Sequence, residues 1–155
     1  MKHLIVFVFT LFTLNACQAS PLFNHENASN RSINADVSDE SCPLDFPTSR
    51  LCSKIEWIAG PNGSEENSFY LKFWNKESGS ADGPYVNPDH AVAVQLWMPS
   101  MGHGSSPVTV TEETTGVFLV TRVFFVMPGD WDIRVKLRDA STVIETAVSS
   151  VVISE

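Results

Sequence analysis

From Lys54 onward, apolar and polar residues alternate with period two in short runs, and polar clusters separate one run from the next. No stretch sustains the i, i+3, i+4, i+7 stripe of an amphipathic helix. The alternation is clearest over 131–138, where Trp131, Ile133, Val135 and Leu137 interleave with Asp132, Arg134, Lys136 and Arg138. One face of such a strand is buried and the other solvated. The same period points Phe69, Leu71 and Phe73 inward in one run, and Val92, Val94 and Leu96 in another. Strands are predicted over 54–59, 68–75, 91–97, 107–111, 117–126, 131–138 and 143–153, the last open to a break at Ser149-Ser150. Turns are predicted at Gly60-Pro61-Asn62-Gly63, 79–84, Asn87-Pro88-Asp89, 112–116 and Pro128-Gly129-Asp130.

About seven strands spaced in this way suit an all-β fold, an immunoglobulin-like antiparallel β-sandwich occupying residues 51–155. The pattern upstream is different. A cation at Lys2 is followed by the apolar run LIVFVFTLFTL over 4–14, and then by Asn15-Ala16-Cys17. That is the h-region of a secretory signal, too short to span a bilayer. The junction resembles a bacterial lipobox, which predicts a lipoprotein signal peptide over 1–16 and lipidation of Cys17. Ordinary secretory cleavage nearby is the alternative, and both place the chain outside the cytoplasm. Each buried acyl CH₂ contributes about 0.8 kcal/mol, so a multiply acylated Cys17 anchors stably. Gln18 after it, rather than Asp, leans towards the outer membrane of a Gram-negative envelope. Residues 17–50, rich in Ser, Asn, Asp, Glu and Pro, are expected to be a flexible acidic tether.

Charge narrows the choice of partners. The chain of 155 residues carries 18 acidic and 10 basic side chains, for a net −8, and loss of Lys2 with the signal leaves 18 against 9, or −9. With no Lys/Arg cluster, nothing is available to neutralise phosphates, so nucleic acid is excluded as a partner. Of the three cysteines, Cys17 goes to lipid, and Cys42 and Cys52, ten positions apart, are expected to form a disulfide in an oxidising compartment. A loop this short stabilises by about 2–3 kcal/mol on a chain-entropy argument. A redox or thiolate–metal role for the pair is the alternative, although the spacing is not C-x-x-C.

The candidate chemistry lies at strand ends. Met98, Met101 and Met127 are the only methionines besides Met1, and two of them begin Met-Pro dipeptides. Met98 and Met101 lie with His103 on one Pro/Gly-rich turn, and Met127 lies on another. Thioether sulfur is soft and uncharged, and with imidazole it suits Cu(I) rather than Ca²⁺ or Mg²⁺. Met101, His103 and Met127 are therefore candidate ligands if the two turns share one end of the sandwich, with Met98 as a fourth or substitute. Trp97 and Trp131 flank the clusters and are candidates to cap the ion by a cation–π contact. Core packing is the competing reading, because Met98 shares the parity of Leu96, and Met127 that of Phe125. His90 is a possible neighbouring ligand or a surface loop residue, and His25 lies in the tether.

The segments 94–104 (VQLWMPSMGHG) and 125–133 (FVMPGDWDI) resemble the two signature segments of YtkA-like/FixH-like domains. The resemblance covers roughly 91–137. It implies an exported, often membrane-tethered immunoglobulin-like sandwich associated with copper handling or haem–copper oxidase assembly, with Met98, Met101, His103 and Met127 as the functional residues. No G-x-S-x-G, H-E-x-x-H or P-loop is present, and Ser105-Ser106 beside His103 have no orienting carboxylate in context, so no enzyme is expected. The expectation is a lipid-anchored periplasmic module that binds Cu(I) and exchanges it with a donor or acceptor protein. The alternative is an envelope lipoprotein that binds another protein and no metal.

Overall fold

A computed structural model of the chain describes residues 41–63 and 65–154. The expected signal peptide, Cys17 and most of the expected tether lie outside them. The described part is a β-sandwich of two antiparallel sheets, with no helix among the described residues. Nine strands make it up: β1 (Leu44–Phe46), β2 (Leu51–Ala59), β3 (Asn67–Asn75), β4 (Ala91–Met98), β5 (His103–Gly104), β6 (Thr109–Thr114), β7 (Val117–Val123), β8 (Gly129–Asp139) and β9 (Thr142–Ile153). One sheet has the order β1-β2-β3-β7-β6 and the other β5-β4-β8-β9.

Period-two patterning explains the core. Phe69, Leu71 and Phe73 of β3 and Trp131, Ile133, Val135 and Leu137 of β8 are all fully buried, and they meet Leu96 and Met98 of β4 between the sheets. Aromatic rings give the interior a directed packing. Phe73 touches Phe46 and Phe118 with centroids 5.7 Å away in each case, and Phe125 stands edge-on to Trp131 at 5.6 Å. One buried amide, Asn67, ties the β2–β3 loop to β7. Its oxygen accepts from the Asn62 N–H, and its nitrogen donates to the carbonyls of Asn62, Glu65 and Val123. A side chain with no exposure keeps its polar atoms only when they are satisfied in this way.

Several sequence expectations need correction. Two strands beyond the seven are present, β1 and β5, which are three and two residues long. Leu44 and Phe46 lie within the stretch expected to be tether, yet they are buried and paired with β2. Pro43 and Pro47 and the polar composition around them conceal a strand too short to show a period. β9 runs unbroken through Ser149-Ser150, because Ser150 simply takes an outward position and bonds Asp132. β7 stops at Val123, three residues earlier than expected, and Phe124 to Val126 lead irregularly into the next turn. The Cys42–Cys52 disulfide is formed, and it packs with Trp74 in a small cluster separate from the main core.

Candidate functional site

The two methionine turns lie at the same end of the sandwich. β4 and β8 are antiparallel neighbours with Trp97 opposite Asp132, so the residue that ends β4 lies beside the start of β8. Met98 pairs with His103 across the β4–β5 hairpin, and this cross-strand register aims both side chains to one face of the sheet. The hairpin loop closes through the N–H groups of Met101 and Gly102, which both donate to the Met98 carbonyl at 3.2 and 3.0 Å. Gly102 has φ +66, a conformation glycine adopts without a Cβ penalty, and its surroundings are open.

A second set of contacts joins this hairpin to the Met127 turn. The Ser105 hydroxyl donates to the Phe124 carbonyl at 2.5 Å. The Met98 methyl lies against Gly129, where a Cβ would stand only 2.8 Å from it. Trp131 Nε1 donates to the Met127 carbonyl at 3.0 Å and so holds the Met127 backbone to the fully buried indole. Hence the hairpin and the Met-Pro-Gly turn are fixed to each other by one hydrogen bond and one packing contact, and the turn is fixed to the core by another hydrogen bond.

The four sequence candidates differ in access. Met98 is a core residue, 3 % exposed, as its parity with Leu96 indicated. Met127 is half-buried against the core, and Met101 is 58 % exposed. His103 is half-buried, with Nδ1 3.1 Å from the Gly104 carbonyl, so Nε2 is the nitrogen left for a ligand. The two indoles are placed otherwise than as caps. Trp97 points to the outer face of its sheet, opposite to Met98, with the Arg134 guanidinium 4.8 Å from its ring centre. Trp131 is wholly buried, with one edge contact to Phe125 and its N–H consumed by Met127. His90 precedes the opposite end of β4, about 25 Å from Met98 at a usual rise per residue, and cannot join the group. His25 is outside the described residues.

Gly129 was not singled out from sequence as a site residue. Its value lies in the seat it leaves for Met98, a contact between distant strands that no local pattern announces. Elsewhere among the described residues, Cys42, Asp45 and Cys52 cluster closely, but both sulfurs are bonded to each other and neither is a free thiolate. Chemically, the turn end offers uncharged soft donors and one imidazole, a set suited to a soft monovalent cation.

No curated protein matches this chain. A family model described as YtkA-like matches residues 63–136, from the loop before β3 to near the end of β8. Both methionine turns, the β4–β5 hairpin and Trp131 fall inside that span, and the disulfide and β9 fall outside it. The chain therefore carries a YtkA-like domain across residues 63–136.

Proposed function

We propose that this protein is an exported, lipid-anchored module that takes Cu(I) as cargo through Met101, His103 and Met127 and exchanges it with a donor or acceptor protein. Supporting this reading above all is the convergence of the two methionine turns at one end of the sandwich, tied together by the Ser105–Phe124 hydrogen bond and the Met98–Gly129 contact. Two thioethers and an imidazole on adjoining turns can share one ion, whereas turns at opposite ends could not. Met98, being buried, supports the seat of the site from beneath and becomes a ligand only if the hairpin shifts. Trp131 acts as a positioning residue through the Met127 backbone. Lipidation at Cys17 and a periplasm-facing, outer-membrane address belong to the same proposal, and rest on the sequence of the first 18 residues.

The test is a Cu(I) titration of the purified protein against a competing chelator, beside Met101→Ala and His103→Ala. Stoichiometric binding in the parent, weakened at least about tenfold in each variant, is the expected result, since each substitution removes one of about three soft donors. A folded parent that takes no Cu(I) overturns it and leaves the protein-binding alternative, in which Met98 and Met127 only pack.

A further inference from the structure

Each sheet of a sandwich has two edges, and an edge strand with free backbone groups is a template for another strand unless it is blunted. In this protein three of the four are blunted. β1 and β5 are too short to pair far, and β6 carries exposed Glu112 and Glu113 with a register shift beside them. Where β1 leaves β2 uncovered, Lys54 and Glu56 stand guard, and where β5 leaves β4 uncovered, the outward residues are Ala91, Ala93 and Gln95. β9 carries one register shift, where Ile144 is passed over between the Arg138–Val143 and Leu137–Glu145 pairs, and from Glu145 to Ile153 it pairs regularly and has none of these devices. It is the longest strand, with twelve residues, and its one charged side chain, Glu145, is consumed by the N–H groups of Thr48 and Ser49 and the Ser49 hydroxyl. Among the described residues, no backbone group of β9 bonds outward, away from β8.

The outward side chains of β9 have an unusual order. From the register shift onward they are Ile144, Thr146, Val148, Ser150 and Val152, the three apolar ones 40, 48 and 71 % exposed, while Val143, 45 % exposed, lies just before it. Read from either end, the row is apolar, hydroxyl, apolar, hydroxyl, apolar. An antiparallel copy centred on Val148 would place Val148 against Val148, Ile144 against Val152 and Thr146 against Ser150, so every cross-strand pair would be like with like. This is the self-complementarity that a two-fold interface requires, in which residue i meets j and j meets i.

Charge on the neighbouring strand agrees. The outward row of β8 runs Asp130, Asp132, Arg134, Lys136, Arg138, acidic at one end and basic at the other. An antiparallel copy aligns the acidic end of one β8 with the basic end of the other, three strand spacings or about 14 Å away. At that range the charges orient the encounter more than they hold it. A parallel copy would set like ends together.

We propose that two copies of this chain associate through antiparallel pairing of their β9 edges about Val148, joining two four-stranded sheets into one of eight strands. The partner is thus a second copy, selected by the palindromic row and the reversed charge of β8.

Sedimentation of the full chain over a range of concentrations, beside Val148→Lys, is the first test. The expected result is a reversible dimer in the parent, and self-association at least about tenfold weaker in the variant, where two ammonium groups would face each other. Val148 is half exposed, so the variant should keep the parent's unfolding transition. Single cysteines then test the register, with the parent chain as the background for Cys17. On oxidation, Val148→Cys should cross-link with itself, and Thr146→Cys and Ser150→Cys should cross-link with each other but neither with itself. A parent that is monomeric at every concentration overturns the proposal, as does a dimer that survives Val148→Lys and gives no Val148→Cys cross-link. A monomer that binds an extended peptide along β9 also overturns it, in favour of a foreign strand.

Discussion

At the scale of single residues, the telling position is Gly129. Its φ of +128 is one that side-chain-bearing residues rarely adopt, and a Cβ there would press on the Met98 methyl at 2.8 Å. Gly129→Ala is therefore expected to destabilise the fold by about 1–3 kcal/mol through backbone strain and displacement of Met98. Denaturant unfolding measures this directly, and an unchanged midpoint would show that Met98 does not depend on that seat. The burial of Met98 is signalled by its parity with Leu96, the competing reading to its place among the candidate ligands, since alternation along one strand fixes which residues face inward. Trp97 was misjudged, because the flank of a motif says nothing of the face, and one step along a strand reverses the side chain. The order of exposure among Met101, His103 and Met127 is likewise set by tertiary packing, which lies beyond any local pattern.

Among the elements, the connection between β9 and the turn after β1 is sensitive to acid. Burial alone would raise the Glu145 carboxyl, but hydrogen bonds from the N–H groups of Thr48 and Ser49 and from the Ser49 hydroxyl outweigh it and hold the group below the ordinary carboxylate value. A group depressed in the folded state contributes stability above its unfolded pKa and loses that contribution as pH falls through its folded pKa. Glu145→Gln should cost about 1 kcal/mol near neutral pH, and the difference from the parent should close in acid. Urea midpoints for both proteins across the acid range check this, and a gap constant with pH would refute an ionised Glu145 at that contact. The long strands were readable because each carries several turns of the two-residue period. β1 and β5 were not, since three or two residues cannot display a period, and their existence depends on β2 and β4 being there to receive them.

For the whole molecule, the disulfide is the one covalent restraint between the edge strand β1 and the sheet it joins. It closes a separation of ten residues, so replacing Cys42 and Cys52 together by Ser should cost about 2–3 kcal/mol. Unfolding of the parent and the double variant tests it, and equal stability would mean that Trp74 and the β1–β2 ladder hold that edge without the bond. The sandwich and the disulfide were legible from strand period and cysteine count. The convergence of the methionine turns was legible only as a condition, because it depends on which strands become neighbours, and β4 meets β8 across more than thirty intervening residues. That topology also reaches the bench. Gly129 pairs with Ile153, so the last strand ends two residues from Met127 in register. A polyhistidine tag appended after it would hang beside the hairpin and lend its own imidazoles to any soft ion tested there, so purification handles belong elsewhere on this chain.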